Sequence, residues 1–155
     1  MNQRYLPSSS QNAPGWLTLA LGMDKEYTQD ACPVLGLTVA EGACFQVQWD
    51  PHGRTCRVSK PDDTLFLTRD GQPNYLVLRE YFDTPLVVKP ARGGASLDLA
   101  VVETVEAFED AFTAASRLGP VLVQQYVKGE EYAVCLLDTP ETREWPVVFA
   151  FGTKL

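Results

Sequence analysis

The sequence has little positive charge, few potential metal ligands and no long apolar run, and each shortage bears on a class of protein. Its 155 residues carry 13 Lys and Arg against 20 Asp and Glu, a formal net charge of −7. A protein that binds a nucleic-acid backbone needs a basic surface, so this class is excluded. A single nucleotide needs only a few well-placed cations, so the charge balance does not exclude a nucleotide pocket.

Histidine and paired cysteine are also scarce. His52 is the only histidine, and none of the four cysteines belongs to a CxxC pair: Cys32, Cys44, Cys56 and Cys135. A closed zinc site needs four ligands, commonly in short paired spacings, so no metal site is expected. Scattered cysteines of this kind are typical of reduced thiols in a cytosolic protein.

The N-terminal region contains the longest early apolar run, Trp16 to Met23. This run is too short to span a membrane and lacks the cleavage site of a signal peptide, so a cytoplasmic location and no membrane partner are expected. Residues 1–18 begin with a stretch rich in Ser, Asn, Gln and Pro. They are predicted to be a flexible leader or the remnant of a preceding domain.

The first half of the remaining chain predicts one helix and then a β-rich segment. The helix is expected between Met23 and about Leu35, limited by Pro33, and Gly36–Ala40 is expected to be a short strand or its approach. Turn signals alternate with Val, Leu, Thr and Tyr between residues 45 and 80, which predicts a small antiparallel β-meander. Its predicted strands after the first are Thr55–Ser59, Thr64–Thr68 and Tyr75–Arg79.

The second half predicts strands around one well-capped helix. Thr104 is a good N-cap for a helix with apolar residues at helical spacing, and Gly119-Pro120 ends it. The predicted strands are Pro85–Pro90, Leu99–Val102, Val121–Val127, Tyr132–Leu137 and Pro146–Phe151. This order predicts an α+β fold, an antiparallel sheet with a helix packed on one face.

Lys89 and the loop that follows it carry the clearest chemical signal. A lysine near the end of a strand is aimed by the sheet, while Gly93 and Gly94 expose backbone N–H groups and Ser96 adds a hydroxyl. Such groups suit a polyphosphate, because each charge-assisted hydrogen bond contributes about 1.5–3 kcal/mol. The alternative is an exposed lysine beside an ordinary flexible hairpin loop.

Three motifs that follow one another in the chain favour the phosphate-binding interpretation over the ordinary hairpin loop. They are Met23-Asp-Lys25, the segment Val87–Ser96 and the segment Val121–Glu131. Together they resemble the central ATP-binding part of D-alanine–D-alanine ligases, members of the ATP-grasp family. The resemblance covers about Leu19 to Leu137 and implies an ATP-grasp-like fold. Residues 19–155 are therefore predicted to be a partial ATP-grasp nucleotide-binding domain, with residues 45–80 as a β-meander insertion.

The resemblance implies a nucleotide-binding role for nine residues. Two would be phosphate-contacting lysines, three would lie in the loop over the phosphates, three would lie in the hinge strand whose backbone recognises adenine, and one would accept hydrogen bonds from the ribose. In that order they are Lys25 and Lys89; Gly93, Gly94 and Ser96; Gln124, Gln125 and Val127; and Glu131. The alternatives are that Lys25 is a cation on a helix surface and Glu131 a solvated turn residue.

The chain also departs from the family pattern. The family loop usually reads Arg-Glu-Gly-Ser-Ser-Val-Gly, whereas here it reads Arg-Gly-Gly-Ala-Ser-Leu-Asp over residues 92–98. Ala95 replaces a serine that helps to orient substrate, Asp98 replaces a glycine, and Gln124 replaces an acidic residue at the start of the hinge. These changes argue against dipeptide ligation more than they argue against the fold.

The resemblance implies an ATP-dependent carboxylate–amine ligase of peptidoglycan biosynthesis, in which ATP phosphorylates a carboxylate and an amine attacks the acyl phosphate. ATP is the expected cofactor, and magnesium is expected for the full-length family enzyme although no ligands for it are found in this sequence. No catalytic residue is assigned, and this chain alone is expected to be inactive. Its expected partners are a nucleotide and the missing remainder of the ligase or a second copy. The alternatives are a non-catalytic nucleotide-binding or interaction module, and an ATP-grasp ligase with another substrate.

Overall fold

The computed structural model describes residue 19 and residues 22–83, 85–94, 98–137 and 147–153. The helices are α1 (Lys25–Val34), a 3₁₀ helix (Pro61–Phe66), α2 (Tyr75–Phe82) and α3 (Val105–Ser116). The strands are β1 (Gly42–Asp50), β2 (Gly53–Val58), β3 (Leu86–Pro90), β4 (Ala100–Val102), β5 (Val121–Gln125), β6 (Glu131–Leu137) and β7 (Val147–Thr153). The whole of the predicted leader, residues 1–18, lies outside the described residues, and the predicted domain boundaries stay a prediction.

Five strands form a central antiparallel sheet in the order β2-β1-β5-β3-β4. Strands β6 and β7 form a separate antiparallel pair, so residues 126–130 connect one sheet to another. The predicted α+β class, an antiparallel sheet with a packed helix, is confirmed. The strands and helix predicted in the second half are found with small shifts at their ends.

Helix α3 packs apolar side chains on one face of the sheet. Thr104 caps it by accepting a hydrogen bond from the Ala107 amide, which satisfies one of the free N–H groups of the first turn. Phe108 and Phe112 are fully buried, and the ring of Phe112 meets Phe45 of β1 edge-on at a centroid distance of 5.5 Å. This face therefore holds the main core.

Two strand predictions between residues 45 and 80 are wrong. The first three residues of the segment predicted as a strand at Thr64–Thr68 belong to the 3₁₀ helix that Pro61 begins, and the segment at Tyr75–Arg79 lies in α2. Asn74 caps α2 by accepting a hydrogen bond from the Val77 amide. Tyr, Leu and Val suit a strand by composition, but in α2 the buried residues fall at helical spacing.

The strand that the sequence predicted at Thr55–Ser59 is present as β2, and it belongs to the central sheet. It pairs with β1, whose other edge pairs with β5. Phe66 and Cys56 of this segment are buried in the main core. The segment is thus an integral edge of the domain, and what it retains of the predicted meander is one hairpin. Among the described residues, no helix has the length and apolar character needed to cross a membrane.

Candidate functional site

The second face of the central sheet carries a row of three side chains on adjacent strands. Lys89 of β3 lies opposite Leu122 of β5, and Leu122 lies opposite Cys44 of β1. Because side chains alternate along a strand, Cys44 faces away from its neighbour Phe45, which packs in the main core. Lys89 therefore emerges on the face opposite α3.

Helix α1 begins beside the loop that follows Lys89. The Lys25 amide donates to the Ala91 carbonyl at 2.8 Å, and the Gly93 amide donates to the Met23 carbonyl at 3.3 Å. Asp24 accepts from the Tyr27 amide as the N-cap and forms an ion pair of 3.2 Å with Arg92. These contacts fix the first turn of α1 against the root of the loop.

Lys25 and Lys89 line one cavity of about 320 Å³ together with Gln29, Leu122 and Gln124. Burial, and then the positive charge of Lys25, lower the pKa of Lys89 below its usual range. The Lys25 ammonium donates to the Gly93 carbonyl at 2.7 Å. The charged side chains in this lining are thus two cations, and an anion is the ligand that would relieve their repulsion.

Gly93 provides the backbone geometry that the loop needs. Its φ of +98° lies in the region that disfavours residues with a Cβ. The Gly93 carbonyl accepts a hydrogen bond from the Lys25 ammonium, so the root of the loop contacts the first candidate phosphate-binding lysine. A side chain at this position would strain the turn that brings them together.

The structure brings four of the nine predicted site residues together: Lys25, Lys89 and Gln124 line the cavity, and Gly93 contacts Lys25. Ser96 lies outside the described residues. The other four lie outside the lining that the described residues form: Gly94, Gln125, Val127 and Glu131. Val127 is exposed, and Glu131 is an exposed residue at the start of β6. The roles assigned to all nine remain predictions.

Sequence reasoning missed two residues that shape this cavity. Gln29 lies one helical turn after Lys25, so their spacing placed both on one face of α1, a signal that was available. Gly42 pairs with Gln124, and a Cβ on Gly42 would lie 2.6 Å from Cγ of Gln124. That close approach depends on the strand register and left no signal in the sequence.

The described residues do not fit magnesium at this position. Among them, no group of three or more His, Cys, Asp and Glu side chains could hold a metal ion. Magnesium prefers carboxylate and other oxygen ligands, whereas this cavity presents two ammonium groups and two carboxamides. No step of the chemistry is therefore assigned to a metal at these residues.

Comparison with known proteins identifies relatives of one kind. The family model described as the D-ala D-ala ligase C-terminus matches residues 67–149, more than half of the chain. The D-alanine–D-alanine ligase of Chromohalobacter salexigens is 32% identical over 124 residues, which are 79% of this chain and 32% of that protein. The D-alanine–D-alanine ligase of Rhodococcus opacus is 35% identical over 129 residues, 83% of this chain and 29% of that protein.

Solved structures show the same fold. The VanG D-Ala:D-Ser ligase of Enterococcus faecalis superposes with a TM-score of 0.60 at 20% identity, over 85% of this chain and 32% of that one. The D-alanine–D-alanine ligase of Bacillus anthracis gives a TM-score of 0.51 at 21% identity, over 75% of this chain and 31% of that one. The chain thus spans about a third of the length of the relatives it matches.

Proposed function

The chain belongs to the D-alanine–D-alanine ligase C-terminal family, and from this premise we propose that the cavity between α1 and the central sheet binds the triphosphate of ATP. Lys25 and Lys89 would contact the phosphates, and the loop that begins at Gly93 would lie over them. The base would lie toward Gln124 and the segment that follows it in the chain. Glu131 would accept hydrogen bonds from the ribose.

The observation that carries this proposal is the pair of lysines in one cavity. Two ammonium groups on separate elements repel each other, and the lowered pKa of Lys89 reports both that repulsion and its burial. A cavity that holds two such charges, with no carboxylate among the described residues of its lining, is suited to an anion with several negative oxygens. A triphosphate meets this description.

For the complete protein we propose ATP-dependent ligation of a carboxylate to an amine, with D-alanine as the substrate suggested by the names of the relatives. The remainder of the ligase, or another chain, would supply the magnesium ligands and the substrate pocket. The proposed setting is peptidoglycan biosynthesis in the cytoplasm. The described residues would contribute the grip on the nucleotide, since ATP must be held in line with its acceptor for phosphoryl transfer.

The test is the substitution Lys89→Met, with ATP and adenosine titrated by calorimetry against both proteins. Methionine keeps the apolar packing of the stem and removes the cation, so ATP binding should lose about 2–3 kcal/mol, roughly thirty- to a hundred-and-fifty-fold in affinity. Adenosine has no phosphates, and its affinity should scarcely change.

Lys60→Met provides the matched control. The Lys60 side chain is half-exposed and pairs with Asp30 of α1 at 2.6 Å, and neither residue lines the cavity. This variant should bind ATP as the wild type does. Equal losses for ATP and adenosine in Lys89→Met would show that Lys89 supports the fold rather than the triphosphate, and unchanged ATP affinity would remove it from the site.

A further inference from the structure

Two glutamine side chains that are distant in sequence form one hydrogen-bonded pair in the lining of the cavity. Nε2 of Gln124 donates to Oε1 of Gln29 at 3.2 Å and to the Ala40 carbonyl at 3.3 Å. Nε2 of Gln29 donates to the same Ala40 carbonyl at 3.3 Å and to the Gly42 carbonyl at 3.2 Å. Gln124 is 9% exposed, so its amide has little water to bond instead.

The backbone carbonyls determine which way both amides point. A carbonyl oxygen only accepts hydrogen bonds, so the end of Gln29 that faces Ala40 and Gly42 must be its NH₂ group. This orientation leaves Oε1 of Gln29 facing Gln124, and an oxygen there requires the NH₂ group of Gln124. The orientation of Gln124 is thereby fixed twice, by Gln29 and by Ala40.

The remaining end of the Gln124 amide is its oxygen. Among the described residues, no donor binds Oε1 of Gln124, and the Tyr75 hydroxyl is the only side-chain polar atom that is both fully buried and unpaired. Oε1 is therefore not sealed in the core, and Gln124 lines the same cavity as Lys25 and Lys89. Gln124 lies two residues along β5 from Leu122, the residue opposite Lys89, so its free oxygen is an acceptor on the same face of the sheet as that lysine.

The close approach of β1 to β5 at Gly42 is needed for this arrangement of the two glutamines. A Cβ on Gly42 would lie 2.5 Å from the Val123 carbonyl oxygen and 2.6 Å from Cγ of Gln124. Contacts this short are not tolerated, so glycine at position 42 is what lets the Gln124 side chain lie flat across β1 toward Gln29. The pair depends on three elements, α1, β1 and β5.

We propose that Gln29 is a positioning residue that makes Gln124 an acceptor for the exocyclic amine of a 6-aminopurine, which gives the site its preference for adenine. This inference rests on the proposed ATP site. A glutamine that rotates freely can offer either oxygen or NH₂, and so cannot distinguish a 6-amino from a 6-oxo purine. A glutamine locked as an acceptor attracts the amine of adenine and repels the O6 oxygen of hypoxanthine.

The experiment compares ATP with ITP, which replaces the 6-amino group by an oxygen and leaves the ribose and phosphates unchanged. Calorimetric dissociation constants are measured for wild type, Gln29→Leu and Gln29→Lys, and the readout is the ITP-to-ATP ratio of Kd. The ratio cancels any general effect on folding or on attraction of phosphate. Wild type should bind ATP at least about tenfold more tightly than ITP, the scale of one satisfied against one opposed hydrogen bond.

Each variant should change the ratio in a defined way. Gln29→Leu removes one of the two acceptors that hold Gln124, so the ratio should fall to about a third of its wild-type value or less. Gln29→Lys offers Gln124 a donor instead of an acceptor, which favours the reversed amide with NH₂ toward the base, and the ratio should drop below one. Gln46→Leu, an exposed glutamine of β1 outside the lining of this cavity, is the matched control and should leave the ratio unchanged.

The outcomes separate this inference from the function on which it rests. A wild-type ratio near one, or a ratio that both Gln29 variants leave unchanged while both nucleotides still bind, would overturn the role of Gln29 and leave the ATP site standing. Failure of the wild-type chain to bind either nucleotide would overturn the proposed function and the inference with it. If the lysine variant does not fold, the leucine variant alone decides the result.

Discussion

Helices α1 and α3 begin in the same way and are held in place by different forces. Asp24 caps α1 and Thr104 caps α3, each by accepting a hydrogen bond from the amide three residues later. Helix α3 buries four residues against the sheet, including two phenylalanines, whereas α1 buries none. What holds α1 is polar: the Asp24–Arg92 ion pair, the bond from Lys25 to the Gly93 carbonyl, and the bonds from Gln29.

The comparison shows that the two faces of the sheet contribute differently: the α3 face stabilises the fold, and the α1 face orients polar side chains. Burial of apolar area stabilises the α3 face at about 25 cal/mol per Å², without directional requirements. Hydrogen bonds to partly exposed groups contribute less net free energy, but they specify where a cation or an amide points. The interactions on the α1 face therefore orient side chains more than they stabilise the fold, and two of the residues that hold α1, Lys25 and Gln29, also line the cavity.

The largest effect is expected from Phe112→Ala on the α3 face. Phe112 is fully buried and packs against both Phe45 and Phe108. Truncation to alanine leaves a cavity that the sheet cannot fill, so the free energy of unfolding should fall by about 3–5 kcal/mol. Urea denaturation followed by circular dichroism measures it.

Tyr27→Ala on α1 is the matched aromatic truncation. Tyr27 is 50% exposed, so the loss should stay within about 1 kcal/mol. If the two truncations lowered the free energy of unfolding equally, the division between an apolar, stabilising face and a polar, orienting face would be wrong.

A smaller loss is expected at Arg54, which ties the edge hairpin to α3. Its guanidinium donates to Gln72 at 2.9 Å, to Thr113 at 3.1 Å and to Glu109 at 3.1 Å, and it lies 4.8 Å above the centre of the Phe112 ring. The Arg54 side chain is 10% exposed and that of Glu109 is 45% exposed, so the carboxylate left behind can be hydrated. Arg54→Met should therefore cost about 2–3 kcal/mol, less than breaking a fully buried pair.

Arg57 of the same strand gives the control. It lies three residues further on and is exposed on the opposite face, so Arg57→Met should change the free energy of unfolding by about 0.5 kcal/mol or less. Thermal unfolding of the two variants side by side measures the difference. Equal stability of both variants would show that the Arg54 cluster does not anchor the hairpin.

An element of this fold could be predicted from the sequence when the interactions that specify it are local in the chain. The cap at Thr104, the helical spacing in α3 and the short apolar strand before Lys89 are local signals, and the structure confirms those elements. The segment at Tyr75–Arg79 failed because its apolar residues suit a strand or a helix by composition, and the choice is made by packing against the core.

The candidate site shows the same limit. The resemblance to the ATP-grasp family implied that Lys25 and Lys89 share one site, and both line one cavity. The Gln29–Gln124 pair joins residues 95 positions apart, and no local pattern indicates which glutamines will meet across a sheet. Such pairs depend on strand register, which is set by the whole fold rather than by a neighbouring residue.

The smallest effect, and the one of opposite sign, is expected for the stability of Lys89→Met without nucleotide. Burial and the charge of Lys25 lower the pKa of Lys89 in the folded protein below its unfolded value of 10.5. A lowered lysine pKa means that the folded state binds this proton less tightly than the unfolded chain does. The charged Lys89 therefore destabilises the fold at neutral pH, and this destabilisation is relieved as the pH rises from the folded pKa toward the unfolded one.

Lys89→Met removes the charge and should raise the free energy of unfolding at pH 7, by less than about 1 kcal/mol because solvent screens a half-buried group. The gain should shrink as the pH approaches 10.5, where wild-type Lys89 has also lost its charge. Denaturation of both proteins at several pH values measures the difference, and the buried Cys44, whose pKa is raised to about 12, is common to both and cancels. A variant that is more stable yet binds ATP more weakly would show that this lysine is kept on the α1 face for its ligand. A variant that is less stable at every pH would instead place Lys89 among the residues that hold the sheet together.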